Sequence, residues 1–421
     1  MSIAPREVRV LEAPIDAVIR PPGSKSETIR ALTAAALATG RSHLYSPLRA
    51  EDTAAMAGAL RALGVAVGTD TEPWSVDGRG GRLEPSPRPL EAHESGLSAR
   101  ILIALAGSLD GTTRITGQGR LPDRPMAGIV DVLRNQGVAV SDDSIPLEIT
   151  GRGHLWGGPI AVDCSLSSQF ATAVMLVAPI MHEACVLEVI GLEGSQGYLD
   201  LTAATMRRFG ALLDRTVTGY DIANEGYQPT DVVIEPDASA AVYPMGIAAV
   251  TGGRVVVEGL GIGSLQPDTA MAGILEAMGC QVDRYEDRTV VVGPDSPLAA
   301  IDVDMAASPD ASLAVAVVCL FADGPSRISG LGSLRHKESD RLSAIDSEIK
   351  RIGGSSRVDG DSLIVAPGPL EGAMVDPHGD HRIAMAMAIA GTRVPGVTIA
   401  SPSVVDKTWP EFWNLLDLLD A

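Results

Sequence analysis

Aromatic residues are scarce in this chain: Phe, Trp and Tyr make up 3% of its 421 residues, although apolar residues as a whole reach 45%. The hydrophobic cores must therefore be built mainly from Ala, Val, Leu and Ile. There are only four cysteines, and none of them forms a Cys-x-x-Cys pair. Neither a metal-finger pattern nor a redox motif is present, and we expect a reduced protein.

Positive charge and long apolar runs are also limited. Lys and Arg number 33 against 53 Asp and Glu, a net charge of −20, which argues against a nucleic-acid or anionic-membrane partner. The longest apolar runs, such as 170–180, are well short of the ~18–20 residues that a membrane span needs. The N-terminus MSIAPREVRV has no hydrophobic signal region. We expect a cytoplasmic protein that holds any anionic substrate with a local cluster of bases.

A repeat of about seventy residues runs through the chain, which has 45 glycines and 28 prolines to break it into short elements. Each copy has a Ser or Asp, an Ala-rich apolar stretch, a Gly and a β-like run. The leading residues are 70 to 73 positions apart: Ser24, Ser95, Ser165, Asp237, Asp310 and Asp380. Five copies continue with an amphipathic helix that stops at a glycine, and these are spaced by 69 to 74 residues: Gly64, Gly137, Gly210, Gly279 and Gly353.

Each copy therefore predicts strand, buried helix, strand, exposed helix, strand. The first helix is apolar almost all round, as expected of a helix enclosed by sheets. Three copies would form each of two similar α/β lobes, and the chain would cross between lobes at 20–22 and around 225–235.

Basic residues recur near the starts of the apolar helices, where backbone N–H groups and helix dipoles favour anions. Those at or beside the starts are Lys25, Arg30, Arg100 and Arg382, and those in the intervening loops are Arg124, Lys337, Arg341 and Lys407. For any one of them, a scattered surface base is the simpler explanation. Their regular place in the repeat favours a site for a multiply charged anion.

Five motifs together resemble the enolpyruvyl transferase family, over about residues 21–419. They occur in the family's order: PPGSKSETIRAL, LPDRPM, SLSSQF, HKESDR followed by GDHRIAM, and VVDKTWPEF. The resemblance implies an α/β fold of two lobes, each of three βαβαββ repeats of the inside-out α/β barrel type, joined by a two-strand hinge. One lobe would comprise 1–22 with 234–421 and the other 23–233, with the active site in the cleft between them.

The resemblance is to the branch of the family that acts on shikimate 3-phosphate. It implies transfer of the enolpyruvyl group of phosphoenolpyruvate to the 5-hydroxyl of shikimate 3-phosphate, with release of phosphate, in chorismate and aromatic amino acid biosynthesis. Glyphosate occupies the phosphoenolpyruvate pocket in this family. No metal or cofactor would be needed, since arginines can hold phosphate and carboxylate groups. We expect a monomer.

The family's functional residues carry over to matching positions. Catalysis would involve Lys25, Asp310 and Glu338: Asp310 accepts the hydroxyl proton, while Lys25 and Glu338 exchange protons with the methylene carbon. Phosphoenolpyruvate would be bound by Lys25, Gly96, Arg124, Gln169, Arg341, Arg382 and Lys407. Shikimate 3-phosphate would be bound by Ser26, Arg30, Ser167, Ser168, Gln169, Ser195, Tyr198, Asp310 and Lys337.

Each motif also has a simpler interpretation. GSKS alone is a turn with a helix cap, and it does not fit a P-loop. Asp310 could be only a helix cap, HKESDR only a solvated helix start, and HGDH (378–381) suggests a metal pair that lacks further ligands. None of the cysteines stands where the UDP-N-acetylglucosamine branch keeps its reactive cysteine.

Two segments depart from the family pattern. Glu94 stands where a neutral amide is usual and Leu97 replaces a threonine, although Gly96 and Arg100 are kept. We hypothesise that this segment reshapes the phosphoenolpyruvate pocket and lowers sensitivity to glyphosate. Gln196-Gly197 replaces a basic residue and proline between Ser195 and Tyr198, and Ser333 replaces an asparagine of some members.

Two further functions remain open on the sequence. One is a diverged enolpyruvyl transferase that acts on another cyclic alcohol, and the other is a non-catalytic anion-binding protein of the same fold. The joint presence of Lys25, Asp310 and Glu338 argues against a mere binder.

Overall fold

The computed structural model describes residues 4–192 and 194–419. The chain divides into two compact units, one of Gly23–Ile234 and the other of the segment up to Pro22 together with the segment from Glu235 onward. The extreme ends of the predicted lobe boundaries, 1–3 and 420–421, lie outside the described residues. Within the described ranges, no helix is both long enough and apolar enough to cross a membrane.

The described part of the unit of residues 23–234 contains six α-helices and twelve strands. Its helices are α1 (Lys25–Leu37), α2 (Glu51–Ala62), α3 (Gly96–Gly107), α4 (Ala127–Asn135), α5 (Gln169–Val177) and α6 (Gln196–Arg208). The strands in the same unit are β3 (Arg41–Tyr45), β4 (Ala66–Gly68), β5 (Trp74–Asp77), β6 (Leu90–Glu91), β7 (Asp110–Thr116), β8 (Ala139–Val140), β9 (Leu147–Arg152), β10 (Gly158–Asp163), β11 (Cys185–Ile190), β12 (Leu213–Arg215), β13 (Gly219–Ile222) and β14 (Val232–Val233).

 The last of these, β14, returns to the first sheet of the unit, where it pairs in parallel with β3.

The second unit holds the two strands that precede residue 23 and all the elements after residue 235. The strands are β1 (Arg6–Glu7), β2 (Asp16–Ile19), β15 (Arg254–Glu258), β16 (Gln281–Arg284), β17 (Arg288–Val292), β18 (Asp302–Asp304), β19 (Ser326–Ser329), β20 (Ser355–Asp359), β21 (Ser362–Ala366), β22 (Met374–Val375) and β23 (Thr398–Ile399). The helices are α7 (Ala238–Thr251), α8 (Ala270–Ala277), α9 (Ser312–Val318), α10 (Arg341–Arg351), α11 (His381–Gly391) and α12 (Phe412–Leu419).

Five of the six sheets within residues 4–192 and 194–419 have the same four-stranded pattern. One edge strand pairs in parallel with the strand that follows the buried helix, and an antiparallel hairpin completes the sheet, as in β10-β11-β13-β12. The sixth sheet has the order β1-β23-β22, so that the N-terminal strand stands beside the strand after α11. Each complete repeat is therefore βαβαββ, one strand longer than the order that we read from the repeat itself.

Each unit has its own hydrophobic core, and the first helix of each repeat lies in it. In the unit of 23–234, α1 contacts α3 and α5, which also pack on each other, and in the second unit α7, α9 and α11 pack together. All twelve residues of α3 and all eleven of α11 are buried, because small residues let neighbouring helices approach closely from every side. The predicted enclosed helices and the α/β fold class are confirmed.

The leading Ser or Asp residues and the stop glycines of the repeats mark where most helices begin and end. Ser24, Ser95, Asp237 and Asp380 cap their helices with side-chain oxygens that accept backbone N–H groups. All five predicted stop glycines have a positive φ, from 77° at Gly210 to 100° at Gly279, the conformation that ends a helix at C′. Two starts differ from the prediction: α5 begins at Gln169 rather than after Ser165, and α9 begins at Ser312 with Ala311 at its N-cap.

Candidate active site

Arg341, the first residue of α10, is the centre of a buried cluster of charges in the second unit. Its guanidinium donates to Asp380 through Nε (2.7 Å) and Nη2 (3.1 Å), and to Asp310 through Nη1 (2.8 Å). Glu338 lies one turn earlier, with Oε2 2.9 Å from Nη2 of Arg341. The Arg341 side chain is only 1% exposed, and burial opposes its charge, but the three carboxylates raise its pKa above the usual value.

Asp310 stands among three cations. Arg341 and Arg382 contact different oxygens of its carboxylate, at 2.8 Å and 3.1 Å, and Nζ of Lys337 is 3.3 Å from Oδ1. Burial opposes ionisation of Asp310, but Arg382, Lys337 and Arg341 outweigh it and hold the pKa well below the usual range for aspartate. Since α9 begins two residues later and is capped at Ala311, the interpretation of Asp310 as a mere helix cap is excluded.

Lys407 completes this cluster from a different segment. It ends a 3₁₀ helix, Pro402–Lys407, that contacts α11, and its Nζ lies 3.8 Å from Oε1 of Glu338. The structure therefore brings together all the predicted site residues of the second unit: Asp310, Lys337, Glu338, Arg341, Arg382 and Lys407. Because the side chains of Glu338 and Arg341 in HKESDR are buried in this cluster, this motif is not a solvated helix start.

The sequence did not identify two acidic members of the same neighbourhood. Asp380 caps α11 through the N–H of Arg382 (3.0 Å) while its carboxylate holds Arg341. Asp268 is buried and accepts a hydrogen bond from Ser239. Burial and the nearby charge of Asp310 raise its pKa to about 6, although Arg382 acts in the opposite direction. Asp380 was visible as a repeat leader, but its ion pair with Arg341 depends on the packing of α10 against α11.

A second group of predicted residues lies in the unit of 23–234, at the start of α3. A Cβ added at Gly96 would lie 2.5 Å from Nη2 of Arg124 and 2.7 Å from Nη1 of Arg100. Arg100 donates to the side-chain oxygen of Gln169 and to the carbonyl of Pro125 (2.8 Å), and its guanidinium lies over the Phe170 ring. Gly96, Arg124 and Gln169 are thus brought together, with Arg100 as the residue that links them.

Lys25 lies in the first turn of α1, and its Nζ is 3.1 Å from Oδ2 of the buried Asp52 on α2. Asp52 is a partner that the sequence did not reveal. Arg30, one turn further along α1, is fully buried and donates to Thr202 (2.8 Å), to the carbonyl of Ser26 (2.9 Å) and to the carbonyl of Tyr198 (3.3 Å). Burial lowers the pKa of Arg30 to about 10. These bonds use much of the donor capacity that the prediction assigns to shikimate 3-phosphate.

The remaining predicted residues stand at two helix starts. Ser167 accepts the N–H of Gln169 (3.2 Å) and Ser168 is the N-cap of α5. Ser195 is the N-cap of α6, and Tyr198 is in its first turn. Both helix starts are in the unit of 23–234, and their roles toward a substrate stay predictions.

The segments that depart from the family pattern are partly internal. Leu97 is buried in the core, the carbonyl of Glu94 accepts from Nη1 of Arg124 (3.4 Å), and the Glu94 carboxylate lies against Gly119. Gln196 donates to Asp200 and to the Tyr220 hydroxyl, both at 3.1 Å, rather than presenting a charge. The hypothesis of lowered glyphosate sensitivity stays a prediction.

The two histidines of HGDH have different partners. His378 lies 2.9 Å from Oε1 of Glu348, whereas His381 is buried beside Asp380. Throughout residues 4–192 and 194–419, no group of three or more His, Cys, Asp and Glu side chains has an arrangement suited to a metal ion.

The fold and these clusters indicate a class of protein: an α/β enzyme with many cations on repeated helix starts, suited to multiply charged anions. The family model for EPSP synthase (3-phosphoshikimate 1-carboxyvinyltransferase) matches residues 11–416. The 3-phosphoshikimate 1-carboxyvinyltransferase of Methanoculleus marisnigri is 39% identical over 419 residues, 97% of this chain and 98% of the relative. That of Methanosphaerula palustris is 38% identical over 410 residues, 96% of either chain.

A solved structure of EPSP synthase from Acinetobacter baumannii has the same fold, with a TM-score of 0.84 over 99% of this chain and 98% of the other, at 24% identity. The chain belongs to the EPSP synthase family.

Proposed function

We propose that this protein transfers the enolpyruvyl group of phosphoenolpyruvate to the 5-hydroxyl of shikimate 3-phosphate and releases phosphate. The family model and the full-length relatives named 3-phosphoshikimate 1-carboxyvinyltransferase support this function. It belongs to chorismate and aromatic amino acid biosynthesis. We also retain, as part of the proposal, a monomer that acts in the cytoplasm without a metal or cofactor.

The observation that carries the proposal is the cluster around Arg341. It contains four cations and places the two proposed proton-transfer carboxylates, Asp310 and Glu338, within ion-pair distance of them. Arginine holds phosphate and carboxylate groups through two parallel hydrogen bonds, and lysine adds a point charge. In the proposal Arg341, Arg382 and Lys407 bind phosphoenolpyruvate, and Lys337 and Asp310 bind shikimate 3-phosphate.

The electrostatics of Asp310 give the reaction a sequence of events. In the free protein its three cations make it a poor proton acceptor, because they hold its pKa well below the usual range. Anionic substrate groups would draw these cations toward themselves, and the pKa of Asp310 would then rise toward the pH at which a general base works best. Substrate binding would thus activate the base.

The bonds change in two steps. Asp310 takes the proton of the 5-hydroxyl while the hydroxyl oxygen attacks C2 of phosphoenolpyruvate. At the same time the methylene carbon receives a proton from Lys25 or Glu338. The resulting tetrahedral ketal phosphate then gives a methyl proton back to Lys25 or Glu338 as its C–O bond to phosphate breaks, which restores the double bond, and the proton held by Asp310 leaves with the phosphate. Water exclusion and fixed charges around the reacting atoms would favour both steps.

The unit of 23–234 has the complementary roles in this proposal. Gly96, Arg124 and Gln169 bind phosphoenolpyruvate together with Lys25. Gln169 also contacts shikimate 3-phosphate, which is bound by Ser26, Arg30, Ser167, Ser168, Ser195 and Tyr198. For Arg30 this contact would use the donor capacity that its internal hydrogen bonds leave.

The test is phosphate release from phosphoenolpyruvate by the purified protein, with and without shikimate 3-phosphate. We expect release only with the acceptor, and a fall in kcat of about 10²- to 10⁴-fold in Asp310→Asn, as is typical for loss of a general base. Asp302→Asn is the matched control, because Asp302 is exposed on β18 of the same unit. Acceptor-dependent release that is equally fast in Asp310→Asn would contradict the role of Asp310, and no release by the unaltered protein would contradict the function.

A further inference from the structure

Glu348 is a buried carboxylate that the proposed reaction does not use. It lies on α10, seven residues after Arg341, and its side chain is 0% exposed. Its Oε2 accepts from Nε of Arg351 (2.8 Å) and from the N–H of Asp376 (3.0 Å), and its Oε1 is 2.9 Å from Nε2 of His378. Two of these three contacts therefore reach outside α10, to the loop before α11.

That loop, residues 376–380, joins β22 to α11 and ends at the cap of α11. The N–H of His378 donates to Asp376 (2.8 Å), and the N–H of Asp380 donates to the carbonyl of Pro377 (2.8 Å). His378 has a φ of 53°, in the left-handed region that side chains other than Gly adopt infrequently. Such a conformation persists where surrounding contacts determine it, and the contact with Glu348 is one of them.

Glu348 and Arg341 thus connect α10 to the same loop and helix at two places. At the start of α10, Arg341 binds Asp380, and two turns later Glu348 binds Asp376 and His378. Asp380 also receives the N–H of Arg382 at the start of α11. The spacing between the Arg341 and Arg382 guanidinium groups therefore depends on how the loop is held against α10.

We propose that Glu348 and His378 are positioning residues that fix the 376–380 loop, and through it the spacing of Arg341 and Arg382 for phosphoenolpyruvate. This inference rests on the proposed function, in which both arginines bind that substrate. His378 would not touch the substrate. Its contribution is the hydrogen bond to Glu348 that keeps the loop in its left-handed turn.

The inference separates the side chain of His378 from its backbone conformation. His378→Gly accepts the positive φ but removes the donor to Glu348. His378→Gln keeps a donor, because Nε2 of Gln is the same number of bonds from Cα as Nε2 of His. His182→Ala is the control, since His182 is an exposed histidine in the other unit.

KM and kcat of the four proteins are measured for both substrates, together with their melting temperatures. We expect His378→Gly to raise KM for phosphoenolpyruvate about tenfold, the effect of losing one hydrogen bond to a charged group. KM for shikimate 3-phosphate should change little, whereas the melting temperature should fall by a few degrees, because the buried carboxylate of Glu348 loses one of its three partners. His378→Gln should return KM to within about twofold of the unaltered protein, as a retained hydrogen bond requires.

An unchanged KM for phosphoenolpyruvate in His378→Gly would overturn the inference, and so would equal rises in the Gly and Gln variants. These outcomes leave acceptor-dependent phosphate release by the unaltered protein intact. Absence of that release would overturn the proposed function and this inference with it.

Discussion

Gly96 is small because two guanidinium groups lie beside its Cα. A Cβ at this position would come within 2.5 Å of Arg124 and 2.7 Å of Arg100, so Gly96→Ala must displace one or both side chains. The fold can accommodate this change because the atoms that must move are the far ends of side chains, but we expect KM for phosphoenolpyruvate to rise about tenfold or more through misplacement of Arg124.

Gly58→Ala is the matched control for steady-state kinetics with both variants. A Cβ at Gly58, on α2, would meet nothing within 4 Å, and alanine is also the better helix former. Wild-type KM in Gly96→Ala would show that Arg124 does not need its present position to bind the substrate.

Asp268 gives a prediction of stability against pH. Its pKa is raised by burial to about 6 in the folded chain, against 3.8 for an ordinary aspartate, so the folded state favours the protonated form. The cost of ionising Asp268 is therefore absent below pH 3.8, grows as the pH rises from there to about 6, and is fully present above that value. Asp268→Asn removes that cost, and its melting temperature should exceed that of the unaltered protein by a few degrees at pH 7.5.

Melting curves at pH 4.5, 6 and 7.5 check this prediction. The advantage of Asp268→Asn should be fully present at pH 7.5, slightly smaller at pH 6 and much smaller at pH 4.5, because the unaltered protein then protonates Asp268 in its folded state. An advantage that is the same at all three pH values, or that grows toward acid, would contradict the sign of the pKa shift.

Single site residues were predictable by type but not by partner. Asp310 leads one copy of the repeat, and Glu338 and Arg341 are in the motif HKESDR. The buried cluster contains all three. The ion pairs of Asp380 and Asp52 were not predicted, because each depends on how two helices pack. The packing of α10 against α11, and of α1 against α2, cannot be predicted from the spacing of residues in the sequence.

At the scale of elements, α1 is fastened to α6 by polar contacts. Glu27 in the first turn of α1 forms an ion pair with Arg208 near the end of α6, and Arg30 donates to Thr202. The two partners of the ion pair differ in burial: Glu27 is 2% exposed and Arg208 is 44% exposed. Removing Arg208 leaves a buried carboxylate without its nearest cation, whereas removing the charge of Glu27 leaves Arg208 near water.

The prediction is therefore asymmetric. Arg208→Gln should lower the free energy of unfolding by about 1–2 kcal/mol more than Glu27→Gln does, and the double variant should be close to Glu27→Gln. Urea or thermal unfolding measures it, with Arg41→Gln as the control, because Arg41 and Asp77 form an exposed pair of little expected value. Equal losses in the two single variants would show that burial of Glu27 carries no such penalty.

The elements themselves were largely predictable, because the same signals recur in every repeat. The five stop glycines and four capping residues mark helix ends wherever they occur. The final hairpin of each repeat was not resolved into two strands, since strands as short as Ala139–Val140 carry too few residues to show alternation. The predicted starts of α5 and α9 were wrong because neither Ser165 nor Asp310 caps a helix. The N–H of Ser165 donates to Asp163, and Asp310 is paired with Arg341.

At the scale of the whole molecule, the sixfold repeat explains how a chain with a net charge of −20 holds a cation-rich cluster. Each unit gathers three buried helices, and their starts bring loops from distant parts of the sequence to one neighbourhood. In the second unit this unites residues as far apart as Asp310 and Lys407, through Glu338 and Arg341. The resemblance supplied the chemistry, whereas the repeat alone predicted only a site for a multiply charged anion.

The central claim is group transfer, and the most direct measurement follows the carbon atoms. Phosphoenolpyruvate labelled with ¹³C is incubated with shikimate 3-phosphate and the purified protein, and the label is followed by NMR alongside released phosphate. The account predicts that the label enters an enol ether at the 5-oxygen of shikimate 3-phosphate, with one phosphate released for each ether formed. Phosphate release with the label found in pyruvate, or no transfer to this acceptor, would contradict it.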